Sequence, residues 1–229
     1  MEVNRKNNIT KQMKKFLKIY KPFIEEKIGV EANQRVAAES MQKLEDSYNE
    51  IPDIGMEMNA FQKTMDFAFI VHIIYENLLK EDLSTEQIGE IIYYGFKDFI
   101  DKYPSFIMKL IKRKQFSKKQ INYMKELARL SKTRDHIYNW VFDVIDGNGE
   151  DFEWGIDYKR CGINDFFCDK NESEIMPYIC ATDYCMFAKM KAELKLDKAL
   201  GRGDECCKFR YKKNGESESD LKKIINTVI

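Results

Sequence analysis

The feature that most constrains the fold is a change in the apolar rhythm near residue 137. Before it, large apolar residues recur at three- and four-residue spacing; after it, they alternate with other residues. The first rhythm lines one face of a helix and the second lines one face of a strand. A chain carrying both, in that order, is predicted to be α+β. A helical part is expected over residues 1–137 and an α+β, cysteine-bearing part over residues 138–229. No Gly/Ser- or Pro-rich linker separates them, so the two are expected to pack as one unit.

In the helical part, Ile9, Met13, Phe16, Leu17, Tyr20, Phe23 and Ile24 share a face, with lysines between them. Those lysines read as the solvated side of a core-packing helix, with a membrane-binding face as the alternative. Gly29 is placed to end that helix. A second helix is expected over 31–49, closed by Pro52, and a third over 58–79. Ser84 with Gln87 three residues on is a capping box that opens a fourth, which stops before Pro104. Ser117 opens a fifth, with Ile121, Met124, Leu127 and Leu130 on one face.

After the change, Tyr138, Trp140, Phe142 and Val144 alternate, then Asp146-Gly147-Asn148-Gly149, then Phe152, Trp154, Ile156 and Tyr158. Two alternating runs about a Gly/Asn turn predict an antiparallel hairpin. A helical stretch over 163–190 follows, with a break or a new start at Pro177. Leu194, Leu196 and Leu200 form a third run and Cys207, Phe209 and Tyr211 a fourth, on either side of Gly201-Arg202-Gly203-Asp204. The order strand, strand, helix, strand, strand implies a small antiparallel sheet covered by a helix. The tail (Leu221, Ile224, Ile225, Val228) is amphipathic and is expected to dock back or to meet a partner, a second copy of the chain included.

Lysine plus arginine and aspartate plus glutamate number 38 each. The balance gives no overall field for nucleic acid or a membrane surface, and neither is expected as a partner. The longest apolar run, 67–75, falls short of the roughly 20 residues that span a bilayer. With no apolar export segment at the N-terminus, a cytoplasmic setting and free thiols are expected.

All six cysteines lie between Cys161 and Cys207. Their spacing, C-x6-C-x11-C-x4-C-x20-C-C, contains no C-x2-C pair and no nearby histidine, so no metal is expected. No Walker, dinucleotide or G-x-S-x-G motif is present, and no cofactor is expected. His72 reads as a satisfied core residue. His136, in Arg134-Asp135-His136, is a candidate to face a cleft. Cys180 and Asp183 are three apart on a helix and share a face. Cys207 shares strand parity with Phe209 and Tyr211. A helix covering that side of the sheet would bring Cys180, Asp183 and Cys207 together, with Cys161 at the rim. The plainer reading of each cysteine is a small buried hydrophobe. A reactive thiol needs a cation, a helix N-terminus or a base, and Arg160 and Arg202 are the local cations.

Phe152-Glu153-Trp154, Cys161, Cys180-x2-Asp183 and Gly203-Asp204-x2-Cys207-x-Phe209-Arg210 stand in the order and spacing of a known tail. On these pieces the last third of the chain resembles the L-2-amino-thiazoline-4-carboxylic acid hydrolase family. The resemblance implies hydrolysis of a cyclic amidine at the carbon between sulfur and nitrogen, giving N-carbamoyl-cysteine. It implies Cys161, Cys180, Asp183 and Cys207 as the catalytic group. Either Cys161 or Cys180 attacks, or Asp183 activates water. Trp154, Arg202 and Asp204 would then surround a small-molecule substrate, with Arg202 anchoring a carboxylate. Gly203-x3-Cys207-x-Phe209 is also similar to the vinyl-4-reductase type of small-molecule-binding domain, which keeps a non-catalytic sensor or carrier as the alternative. Some members of that type hold zinc through a glutamate and a cysteine on the preceding strand. Leu196 and Ala199 occupy that region here and cannot ligate. Asp197, Lys198 and Lys208 also depart from the hydrolase pattern, so a different pocket is expected.

Overall fold

The computed structural model describes residues 2–55, 61–133 and 136–228. The expected helix start at Met58 and the Arg134-Asp135 pair lie outside the described residues. The chain is α+β, as its rhythm predicts, and divides into two compact units, Met1–Phe96 and Lys97–Ile229.

In the first unit, α1 (Glu2–Asp46) runs through Gly29, whose φ of 84° and ψ of 171° are not helical. The two expected helices are therefore two segments meeting at a kink, and glycine tolerates that conformation without a Cβ penalty. Ile9, Met13, Tyr20 and Ile24 are fully buried, packed within the unit against α2 (Gln62–Leu79). His72 is buried on α2 with its Nε2 3.4 Å from Glu76 Oε2, which suits a satisfied core histidine. The capping box at Ser84 is formed: Ser84 N donates to Gln87 Oε1 at 2.9 Å and Gln87 N donates to Ser84 Oγ at 3.2 Å. It opens α3 (Thr85–Asp101).

The second unit begins with the end of α3, then α4 (Ser105–Gln115) and α5 (Lys118–Ser131). Helix α4 is not among the expected helices. Only Met108 of its side chains is buried, so it has no continuous apolar stripe to be read. Ser117 caps α5, accepting from Gln120 N. The hairpin follows as β1 (Val141–Asp146) and β2 (Trp154–Arg160). Tyr138 and Trp140, expected in the first strand, precede it. The Tyr138 carbonyl and the Trp140 ring press on Gly162, where a Cβ would lie 2.0 Å from the Tyr138 oxygen.

The helical stretch is broken, as Pro177 suggests, into α6 (Gly162–Asp169) and α7 (Met176–Met190), with the proline in the first turn of α7. Then come β3 (Glu193–Leu196), β4 (Cys207–Lys212) and α8 (Leu221–Val228). Leu200 does not continue β3. It opens a short 3-10 turn, Leu200–Arg202, because Ala199 N and the Arg202 guanidinium both donate to Asp204 Oδ2 and pull the chain round. The tail docks back: Leu221 and Ile224 are buried and α8 packs on α7.

The sheet order is β1-β2-β4-β3, every pair antiparallel. Trp154 lies opposite Tyr211, Ile156 opposite Phe209 and Tyr158 opposite Cys207. These six share one face, with Leu194 and Leu196 beside them on β3. Helix α7 covers it, its Phe187 stacked on Tyr211 at 5.1 Å between ring centres. Among the described residues no helix is long and apolar enough to cross a membrane.

Candidate functional site

Beside the N-terminal half of α7 lies a cavity of about 20 Å3. Cys161, Cys180 and Cys207 line it, together with Asn164, Leu196 and Phe209. Each thiol arrives from a different element. Cys207 opens β4 on the helix-facing side of the sheet. Cys180 sits on the second turn of α7. Cys161 is the N-cap of α6, held by the tight passage of Gly162 beneath Tyr138. All six cysteines are free thiols; Cys185 and Cys206 are buried in the core and Cys168 is exposed on α6.

The three lining thiols are held in the neutral form. Burial pushes Cys161 up to about 12, against the pull of the Asn164 and Ile163 amides at the start of α6. Cys180 is raised well above the usual thiol range by burial, then by Cys161, Asp183 and Cys207. Burial also raises Cys207, although the Leu200 amide donates to its sulfur at 3.2 Å and favours the thiolate. Among the described residues, no cation is among the groups that shift them. Arg160 is spent on Asp165 at 2.5 Å and on the carbonyls of His136 and Ile137. Arg202 donates to Asp204, to the Asp197 carbonyl and to the Thr227 carbonyl. The arginines read from the sequence as thiolate partners therefore serve the framework. His136 likewise works through its backbone, accepting from Asn139 N.

Asp183 is outside the lining of this cavity, one helical turn beyond Cys180, but its charge acts on Cys180, Cys207, Tyr158 and Tyr211. Its side chain is exposed, yet desolvation by the surrounding protein raises its carboxyl to about 6. Exposure is the firmer of the two; the crowding by protein atoms gives the direction of the shift, and the open side limits its energetic weight.

Tyr158 belongs to the same cluster, though nothing singled it out as a site residue beforehand. Its hydroxyl is raised well above the usual range by burial, then by Tyr211, Asp183, Cys161 and Cys207. The signal that locates it is its strand parity with Trp154 and Ile156, combined with its register opposite Cys207. Asn164, placed by the first turn of α6, was also not anticipated. Trp154 is buried in the core, its ring 4.6 Å from that of Tyr211, and does not line the cavity. Arg202 and Asp204 are outside it too. They clasp the turn whose Leu200 and Gly201 do line it.

Among the described residues, no three of Cys161, Cys180, Asp183 and Cys207 bring their donor atoms within 4.8 Å of one another. As placed, they are too far apart to share one tetrahedral metal. The cavity offers neutral S–H groups around space for about one water molecule, and beyond its lining stand a carboxylate raised to about 6 and a phenol whose charges interact with those thiols.

A family model described as L-2-amino-thiazoline-4-carboxylic acid hydrolase matches residues 63–211. The match ends within β4 and starts on α2, well before the tail that carries the sequence resemblance. No curated protein and no solved structure shows a significant match to the chain.

Proposed function

This chain belongs to the L-2-amino-thiazoline-4-carboxylic acid hydrolase family, and from that premise we propose that it hydrolyses the carbon–nitrogen unit of a thiazoline-type cyclic amidine. The observation that carries this reading is the convergence of Cys161, Cys180 and Cys207, three pieces of the matched tail, on one cavity.

The reacting carbon of a 2-amino-thiazoline is bonded to the ring sulfur, the ring nitrogen and an exocyclic amine. Water forms a C–O bond there, the C=N double bond becomes single, and the ring nitrogen takes a proton. The tetrahedral carbon then collapses: the C–S bond breaks, the carbonyl forms, and the hydroxyl proton leaves with the sulfur as a thiol. With a 4-carboxylate on the ring, the product is N-carbamoyl-cysteine.

Two routes to attack were open from the sequence. Asp183 as base for water is the one that fits the electrostatics. A carboxylate near 6 is ionised at neutral pH and accepts a proton from water as the C–O bond forms. It is far too weak a base to hold Cys161, near 12, as a thiolate. The same carboxyl, once protonated, passes that proton to the ring nitrogen, and as the carbonyl forms it takes up the hydroxyl proton and delivers it to the departing sulfur. Cys161, Cys180 and Cys207 then work as neutral groups that shape a water-poor recess, with S–H donors toward the amidine. Arg202 and Asp204 position the Leu200–Gly201 wall, and Trp154 supports the sheet behind it. The enzyme acts in the cytoplasm, where its thiols stay reduced.

The test is direct. The full chain is incubated with L-2-amino-thiazoline-4-carboxylate in oxygen-18 water and the mixture is read by mass spectrometry. One labelled oxygen in N-carbamoyl-cysteine is expected, with turnover lost in Asp183→Asn. Binding of the amidine without conversion assigns the chain to the sensor or carrier class and ends the hydrolase reading.

A further inference from the structure

The balanced net charge conceals a segregated one. From Lys102 to Lys125 the chain carries eight lysines and arginines and no aspartate or glutamate. That stretch is α4, its connection and most of α5. We infer that the outer face of α4 with the start of α5 is a docking surface for an anionic lipid bilayer, which the protein binds peripherally and reversibly.

Three observations converge. First, Phe106 and Leu110 are exposed at 64% and 60%, one turn apart on α4, and Lys109 and Arg113 continue the same face. Apolar side chains interleaved with cations on one exposed helix face are the chemistry of an interfacial helix. Second, among the described residues no carboxylate pairs with Lys109, Arg113, Lys114, Lys118 or Lys119; salt bridges form at the two ends of the stretch, Asp98 with Lys102 and Asp146 with Lys125, and Lys112 between them donates to the Lys191 carbonyl and feels Glu153. Third, helix stability does not explain the whole set. Lys112, Arg113 and Lys114 occupy the last turn of α4, where the helix dipole welcomes cations. Lys118 and Lys119 occupy the first turn of α5, where it opposes them. A cost carried at the exposed start of a helix points to use.

A bilayer fits better than a nucleic acid. The cations are mostly lysines, and the exposed apolar pair of α4 is Phe106 with Leu110, one aromatic ring where a strand of bases stacks on several, whereas both insert readily among acyl chains. Two inserted side chains are too few to hold a protein to a membrane alone, so binding depends on anionic headgroups and falls with salt.

The experiment is co-sedimentation of the full chain with phosphatidylcholine vesicles, with and without phosphatidylserine, at low and high salt. Binding is expected only to the phosphatidylserine vesicles, and less of it at high salt. Lys109→Gln with Arg113→Gln should weaken it roughly twenty-fivefold, at on the order of fivefold per charge lost. Phe106→Ser with Leu110→Ser should weaken it separately, with circular dichroism unchanged because all four positions are exposed. Equal binding to neutral vesicles overturns the inference, as does no response to the charge variant, or single-stranded RNA that binds at the same cations and displaces the vesicles.

Discussion

The backbone amide of Leu200 donates to the sulfur of Cys207 at 3.2 Å, closing the turn between β3 and β4 from within. The thiol thereby satisfies a main-chain donor as well as lining the cavity. Cys207→Ala leaves that N–H without its acceptor and should cost about 1 kcal/mol, the order of a lost intramolecular hydrogen bond. Cys207→Ser restores an acceptor and should cost less. Urea titration of both variants checks the order, and equal losses would remove the hydrogen bond from the account.

Asp183 makes stability depend on pH in the direction opposite to a salt-bridged carboxylate. Folded, it holds its proton up to about 6; unfolded, an aspartate releases it near about 3.9. Between those values the folded state binds more protons, so stability falls as pH rises through that window, and the loss is complete above it. With its open side screened by water, the loss should be roughly 1 kcal/mol. Asp183→Asn should gain stability relative to the parent on the neutral side of the window and nothing on the acid side. If Asp183 is the base, turnover of the parent falls as pH drops through about 6, and a rate flat across that range would dismiss it.

The six cysteines should separate into two behaviours. Cys161→Ala and Cys180→Ala should lower turnover per folded molecule by about tenfold or more, since they remove donors and walls at the reacting site without removing the base. Cys206→Ser places a hydroxyl at a fully buried position and should cost about 1–3 kcal/mol while sparing turnover. Kinetics normalised to folded fraction distinguish the groups. Six variants with one common profile would show that the cavity is not where the reaction occurs.

Alkylation should follow exposure. Cys168 is exposed, although burial on one side and then Asp165 and Asp169 disfavour its thiolate. Cys161 and Cys180 are protonated at neutral pH, and the thiol form reacts poorly. Brief iodoacetamide treatment followed by peptide mass spectrometry should find Cys168 labelled first. Faster labelling of Cys161 or Cys180 would mean that a thiolate exists there after all.

Much of this was legible because periodicity is local. The β1–β2 hairpin could be read from two alternating runs and a Gly/Asn turn, and the break at Pro177 from one residue. The shared face of Cys180 and Asp183 followed from a spacing of three, and the side taken by Cys207 from its parity with Phe209. Tyr158 escaped because its place depends on β2 pairing with β4, a partnership between strands far apart in sequence that no local pattern encodes. Arg202 looked free because a sequence does not reveal that Asp204, two residues on, and the Thr227 carbonyl take up its donors. Helix α4 escaped because its apolar residues are divided, Met108 buried and Phe106 and Leu110 exposed, and trace no single stripe.

The sheet order has a consequence for how the chain comes to be folded. Strand β4 is synthesised last of the four yet takes an inner position between β2 and β3. Until it arrives, β2 presents an open edge and Cys161 and Cys180 have no wall opposite them. Contacts this distant in sequence form slowly, since the loop between them must close first. The nascent chain therefore passes through a stage with accessible thiols and an unpaired strand edge, the stage most open to oxidation and mispairing. Reducing surroundings during synthesis matter more to this protein than they do to its finished form.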